Sequence, residues 1–291
     1  MTRLASIDGT IRQPEEATVS VYDRGFLYGD SVFETIRTYG GEPFALADHM
    51  ARLARSAARV GIDMPISAAD FGMEVRIAVR AARNPESYAR AMLTRGAGPV
   101  GLDPALAVTP LRVILVEPLV TPPLAVYRDG VKVVTVRTER AADAAHGAKV
   151  GNYLASLLAL QHAKAHGAHE ALILDAGGRV IEGTTSNVFL VRDGALVTPP
   201  EEAGILPGIT RAHLIDVAAE RRLPVHFSPV TLRDLVTSEE VFITSSIREI
   251  IPVVRVDDDI IGDGRPGRVT RALHESFRTR VGLGAEPMPW E

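Results

Sequence analysis

Lysine is scarce in this chain, so any chemistry that needs a primary amine has few places to occur. Of 32 basic residues only three are lysines, Lys132, Lys149 and Lys164. Lys149 stands at the junction of a polar loop and an apolar run, in Lys149-Val-Gly-Asn152-Tyr153-Leu, where lowered solvation turns an amine into a nucleophile toward a carbonyl. Its plain alternative is a stem lying on apolar surface with the ammonium in water. Lys132 sits on an alternating strand pattern, and Lys164 lies near a helix end between His162 and His166. Glu182 closes the short run Arg179-Val-Ile and precedes a small-residue loop, Gly-Thr-Thr-Ser-Asn, which suits either one acceptor offered to a buried base or an exposed strand end. Leu206-Pro-Gly-Ile209-Thr210-Arg211 marks a helix start, where free N–H groups favour an anion; an ordinary cap explains it equally. Thr244-Ser245-Ser246 is a hydroxyl cluster, a phosphate cradle or a polar turn. Arg52, Arg55 and Arg59 share helical spacing, which alone is a solvated face. An amine, a carboxylate and several anion-binding elements together meet the needs of pyridoxal phosphate, with its aldehyde, ring nitrogen and dianionic phosphate.

Composition prunes the alternatives. The 291 residues are 46% hydrophobic and 23% charged, enough for one large domain or two smaller ones. A formal net charge of −4 gives no electrostatic footprint for nucleic acid or an anionic membrane. The absence of cysteine removes thiolate nucleophiles, zinc–cysteine sites and iron–sulfur clusters. No apolar run approaches the roughly 20 residues of a membrane span, and the start lacks a signal core, so a cytoplasmic location is expected. GxSxG, HExxH, P-loop and Rossmann motifs are missing. His162, His166 and Glu170, at four-residue spacing, form a competing metal-site hypothesis, although surface histidines near a helix end need no metal; the expected metal content is none.

Patterning indicates what positions these groups. Leu4–Ile7 and Thr10–Arg12 read as a hairpin turning at Asp8-Gly9, and Ser31–Tyr39 with Pro43–Leu46 as another at Gly40-Gly41. Met50, Leu53, Ala54 and Ala57 give a helix with Asp48 as its cap, and a second helix spans Ser67 to Ala82 with Ser67 capping. Tyr88–Arg95 and Leu111–Val116 are strands. Three prolines between Glu117 and Gly130 stop regular structure and mark a crossing, giving residues 1–118, a linker at 119–130 and a larger, strand-rich unit at 131–291 with a helix from Tyr153 to Ala165. Helices segregated from strand pairs predict an α+β fold.

Six ordered segments resemble the class IV, fold type IV pyridoxal phosphate enzymes: Asp23 to Arg37, His49 to Leu53, Lys149 to Tyr153, Glu182 to Phe189, Leu206 to Arg211, and Phe242 to Glu249. The group comprises branched-chain and D-amino acid aminotransferases, (R)-amine transaminases and aminodeoxychorismate lyases. The resemblance implies a smaller N-terminal α/β domain and a C-terminal pseudobarrel that binds pyridoxal 5′-phosphate, in a homodimer with the site between the two domains. It implies that Lys149 is the Schiff-base lysine, Glu182 the partner of the pyridine nitrogen, and Tyr153 a ligand of the phenolic oxygen. Arg52, Ile209, Thr210 and Ser246 are then the phosphate contacts, Ser245 is a further cofactor-binding residue, and Arg24, Tyr28, Phe33, Tyr88 and Arg90 are the substrate-binding set. Tyr88-Ala-Arg90 resembles the branched-chain Tyr-x-Arg, although Ala91 replaces the usual proline. The D-amino acid Arg-x-His trap is absent, its stretch reading Val100-Gly-Leu102. The three-residue step from Lys149 to Asn152 and the Asp23-Arg24-Gly25 start resemble the D-specific and lyase groups instead. The expected function is a transaminase working between amino acids or amines and 2-oxo acids. A branched-chain-like pocket of mixed specificity is expected first, a D-amino acid enzyme second and the lyase third.

Overall fold

A computed structural model describes residues 2–137 and 147–291. They form two compact units, one of residues 2–120 with 148–153, the other of residues 121–137, 147 and 154–291. The lysine segment, which a cut at 119–130 assigns to the second half, therefore packs with the first.

The first unit is built on strands β1 (Leu4–Ile7), β2 (Thr10–Arg12), β3 (Ser31–Tyr39), β4 (Glu42–Pro43), β5 (Ser87–Thr94) and β6 (Leu111–Pro118). They form an antiparallel sheet in the order β2-β1-β6-β5-β3-β4. Asp8 and Gly9 both take positive φ, the backbone that the predicted tight hairpin requires. Helices α1 (Arg24–Tyr28), α2 (Leu46–Arg59) and α3 (Ala68–Ala82) complete the unit. Val32, Ile36, Ala89, Ala91 and Leu93 face α2 and α3 in one core, so by the two-residue period Phe33, Thr35, Tyr88 and Arg90 point to the other face.

Helix α2 begins earlier than its pattern implies. Leu46 is its first residue, Ala45 takes the cap position in the left-handed region, and Asp48 lies inside the first turn rather than capping it. The strand expected at Pro43–Leu46 consequently ends at Pro43. Ser67 does cap α3, its hydroxyl accepting from the Asp70 amide.

The second unit carries ten strands: β7 (Val131–Arg137), β8 (Glu170–Leu174), β9 (Arg179–Gly183), β10 (Asn187–Arg192), β11 (Ala195–Thr198), β12 (Val225–Phe227), β13 (Val230–Thr231), β14 (Glu240–Ser245), β15 (Glu249–Val256) and β16 (Asp259–Ile260). Their order is β12-β11-β10-β14-β15-β7-β8-β9-β13, with β16 on β15. The β15/β7, β7/β8 and β11/β12 pairs are parallel and the others antiparallel. Its helices are α4 (Leu124–Arg128), α5 (Leu154–Ala165), α6 (Ile209–Glu220), α7 (Leu232–Val236) and α8 (Arg268–Arg280). The proline-rich stretch is not free of regular structure, because Pro123 caps α4, and proline's fixed φ is compatible with a helix start. The segregation of helices from strand pairs agrees with the expected α+β organisation.

Candidate functional site

The lysine segment is stitched to the end of β3. The Lys149 carbonyl accepts from the Phe33 amide at 3.0 Å, Val150 bridges to Val32, and the Gly151 amide donates to the Ser31 carbonyl at 2.7 Å. Any Cβ on Gly151 would lie 2.0 Å from Ser31 Oγ, so this approach needs glycine. The Lys149 amide donates to Ser56 Oγ of α2.

This stitching delivers Lys149 to an aromatic pair. Its Nζ is 3.2 Å from the Tyr153 hydroxyl and 4.6 Å from the Phe33 ring centroid, and the Phe33 and Tyr153 rings meet edge to face. Arg90, reaching the same side of the sheet from β5, lies 3.8 Å over the Phe33 ring. Its Nε is buried and has no hydrogen-bond partner among the described residues. Two cations thus share one ring, an amine and a guanidinium whose Nε has no partner among the described residues.

The other substrate-set residues are placed differently. Tyr88 lies on the Arg90 face, two residues away along β5. Arg24 gives Nε to Asp30 and Nη1 and Nη2 to the carbonyls of Gly101 and Leu102, while the Tyr28 hydroxyl accepts from the Gly101 amide. These two hold the 101–102 backbone.

Behind the sheet, Arg52 turns inward from α2 while Arg55 and Arg59 stay exposed. Arg52 grips the fully buried Glu34 through Nε at 2.7 Å and Nη2 at 2.6 Å, and His49 Nδ1 meets the same carboxylate at 2.7 Å. Burial pushes the Glu34 carboxyl up, but the Arg52 and His49 hydrogen bonds and charges outweigh it and bring its pKa down to about 2. Burial also lowers the His49 pKa, with the charges of Arg52 and Lys149 adding to the effect against Glu34. Sequence reasoning does not single out Glu34 and His49, although both stand in the quoted motifs. Their signal is the Leu46/His49/Met50/Leu53 stripe, which turns Arg52's neighbours into the core.

In the second unit the predicted motifs interlock. Glu182, on β9 opposite Ile173, accepts from the Leu206 amide at 2.9 Å. Asn187 donates to the Leu206 carbonyl at 2.9 Å, and a Cβ on Gly208 would lie 2.0 Å from Asn187 Oδ1. Gly208 caps α6 with no side-chain hydrogen bond, so the backbone at Ile209 and Thr210 begins the helix without a side-chain acceptor. Ser245 ends β14 and Ser246 follows in its turn to β15; Glu249, which closes that turn, has φ +58°.

A second buried carboxylate stands here, in a role that its sequence neighbours do not signal. Glu170 on β8 accepts from Thr184 Oγ1, the Thr185 amide and Ser186 Oγ on Oε1, and pairs with Arg248 at 2.7 Å on Oε2. Burial raises its pKa, and the charge of Arg248 with these hydrogen bonds reverses the shift to a net lowering. Its carboxylate is therefore engaged by Arg248 and the hydroxyl loop, while the His162 and His166 rings of the competing metal set lie tilted to each other at 4.2 Å; among the described residues no group of metal-ligating side chains is found.

With this geometry in hand, comparison defines the class. Residues 31–256 match the model of the amino-transferase class IV family, and the chain belongs to that family. A provisionally assigned branched-chain-amino-acid aminotransferase of Methanocaldococcus jannaschii is 40% identical over 282 residues, covering 95% of this chain and 97% of that one. A D-alanine aminotransferase of Bacillus licheniformis is 32% identical, covering 94% and 95%. The crystal structure of the Escherichia coli branched-chain amino acid aminotransferase superposes with a TM-score of 0.92 at 30% identity, over 100% of this chain and 98% of that one. A second branched-chain amino acid aminotransferase, solved with pyridoxamine 5′-phosphate, gives 0.90 at 32% identity, covering 96% and 94%. The chain is an aminotransferase of class IV.

Proposed function

We propose that the chain is a pyridoxal 5′-phosphate-dependent transaminase that takes the amino group of a branched-chain L-amino acid and passes it to a 2-oxo acid. The observation that carries this reading is the pairing of the Lys149 amine and the Arg90 guanidinium on the Phe33 ring. The donor set fits the cofactor: Lys149 would hold the aldehyde carbon, Tyr153 the phenolic oxygen and Glu182 the ring nitrogen. Arg52, the α6 amides at Ile209 and Thr210, and the Ser245 and Ser246 hydroxyls would hold the phosphate. When bound, the cofactor supplies an electron sink for the pair left at the substrate α-carbon.

The protein's own residues do the rest. Arg90 binds the substrate carboxylate with the donors that nothing else in the first unit takes. Lys149 Nζ would take the α-proton of the amino donor and give it up again within the same half-reaction, as general base and then acid, and would run the same transfer in reverse for the 2-oxo acid. Tyr153 steadies that amine through its hydroxyl, and the Phe33 ring walls it from water. Two half-reactions on one site give ping-pong kinetics.

Substrate hand is read from two places. Arg90 is available for a carboxylate, whereas Val100 and Leu102, where a D-specific trap would stand, are exposed aliphatic side chains. The D-amino acid reading is kept as the second one, because the Lys149-to-Asn152 spacing supports it. We also propose a cytoplasmic homodimer; exposed apolar side chains such as Phe26, Leu102 and Leu157 are candidates for its contact. Half-reactions followed by absorbance with L-leucine, D-alanine, (R)-1-phenylethylamine and aminodeoxychorismate side by side test the assignment. L-Leucine is expected to react fastest, and a preference for D-alanine would transfer the chain to the D-specific group.

A further inference from the structure

Arg248 makes a set of contacts that the transaminase reading does not use. Its Nε donates to Ser245 Oγ at 3.0 Å and its Nη1 to Glu170 Oε2 at 2.7 Å. Nη2 donates to Thr185 Oγ1 at 2.8 Å and to the Thr185 carbonyl at 3.3 Å. The Arg248 amide also points at Ser245 Oγ, at 3.4 Å, and its carbonyl accepts from the Tyr127 hydroxyl at 3.2 Å. One planar group therefore ties the β14–β15 turn to the Thr184–Ser186 loop through a carboxylate with no exposed surface.

The direction of these bonds matters. A serine hydroxyl has one proton and two lone pairs. Arg248 donates to Ser245 Oγ, which leaves the hydroxyl's proton to be given away, and no acceptor for it exists among the described residues. The charge of Arg248 is spent on Glu170, which is itself filled by Thr184, Thr185 and Ser186. Arg248 is thus placed as a strut rather than as an anion ligand. A second buried anchor stands beside it: Glu249, held at positive φ, pairs with His274 at 2.6 Å and with Arg278 at 3.6 Å from α8.

We infer that Arg248 is a positioning residue, which fixes the Ser245 hydroxyl as a directed donor to the cofactor's phosphate by bracing its turn against Glu170 and Thr185. The inference rests on the reading that Ser245 and Ser246 lie at the phosphate end. It predicts an effect on phosphate recognition alone, since Arg248 is attached to no other part of the proposed cofactor site.

The test is titration of apo-protein with pyridoxal 5′-phosphate and with pyridoxal, which lacks the phosphate, by protein fluorescence. Because Arg248→Met leaves Glu170 unpaired, the variants are R248M, the charge-balanced R248M/E170Q, S245A and S245A/R248M, each with its melting temperature. A directed hydrogen bond to an anion is worth a factor of about 10 to 100. The ratio of phosphorylated to unphosphorylated affinity is expected to fall about that much in R248M/E170Q, with pyridoxal affinity unchanged. S245A is expected to lose as much, and the combination S245A/R248M no more than S245A alone. Equal losses for both ligands, an unchanged ratio, or additive losses would each overturn the role of Arg248. A wild-type protein that binds pyridoxal as tightly as its phosphate would instead overturn the phosphate reading itself.

Discussion

The first unit and the second use buried carboxylates in the same way and present opposite chemistry. In the first, Glu34 gathers Arg52 and His49 on the helix side of the sheet, while Lys149 and Arg90 occupy the Phe33 ring on the other side. In the second, Glu170 gathers Arg248 and three hydroxyl-bearing residues, and the Ser245 and Ser246 hydroxyls and the α6 amides stand beside the Glu182 carboxylate. In one unit two cations meet on an aromatic ring, which is what the proposed amine chemistry and carboxylate binding need. The other neutralises the Glu170–Arg248 pair within itself and sets neutral donors beside the Glu182 carboxylate. Burying an ion pair costs solvation, so both carboxylates are better understood as devices for geometry than as sources of stability.

The sharpest way to break this contrast is to remove the amine proposed to react. Lys149→Ala should lower the half-reaction rate at least about 10⁴-fold, with the Arg90 and Glu34 neighbourhoods intact by melting temperature, since a positioned acid–base group alone is worth about 10² to 10⁴. Retained turnover would move the chemistry to Lys132 or Lys164.

Next in size is Glu34→Ala, which leaves Arg52 buried without its carboxylate and should cost about 3–5 kcal/mol in chemical denaturation. Its acid counterpart has a definite sign. The Glu34 pKa is about 2 in the fold against 4.5 unperturbed, so its stabilisation is present above pH 4.5 and is lost as pH falls toward 2. The full loss is about 3 kcal/mol. The lowered His49 pKa works in the same direction below its ordinary value of 6.5, because the unfolded chain takes up that proton first. Wild-type stability should fall in acid more steeply than that of the Glu34→Ala variant, and parallel pH profiles would count against the triad.

Arg90→Ala should raise the KM for the 2-oxo acid by about 10- to 100-fold with a smaller change in kcat, as expected of an anion-binding guanidinium. An unchanged KM would remove Arg90 from the pocket and restore Arg24 as its candidate. Smallest is Tyr153→Phe, which deletes the hydroxyl 3.2 Å from Lys149 Nζ and should slow the proton-transfer step by about tenfold, leaving the oxo-acid KM in place. A KM effect as large as that of Arg90→Ala would erase the division of labour around Phe33.

Much of this arrangement is legible in the chain. Local signals carry the hairpin at Asp8-Gly9 and the Ser67 cap, because each is decided within four residues. The α2 start is not legible in the same way, since Ala45 adopts a left-handed cap that its residue type does not announce. The site motifs identify which residues to watch, but not what lies behind them. Glu170 and Arg248 are 78 apart in sequence and meet only because β8 and the β14–β15 turn belong to one sheet. Likewise, nothing in Arg90's neighbours along the chain signals that Phe33 is its platform; that follows from the β3–β5 register. In a hairpin the turn and the hydrophobic pattern set the register, but β3 and β5 are separated in the chain by β4, α2 and α3, so no single turn announces their pairing.

The most direct measurement is to fix the bound cofactor to the holoenzyme with borohydride and map the modified peptide by mass spectrometry. With three lysines in the chain the answer is discrete. The adduct is expected on Lys149 alone; an adduct on Lys132 or Lys164, with Lys149 unmodified, would contradict the assignment of Lys149.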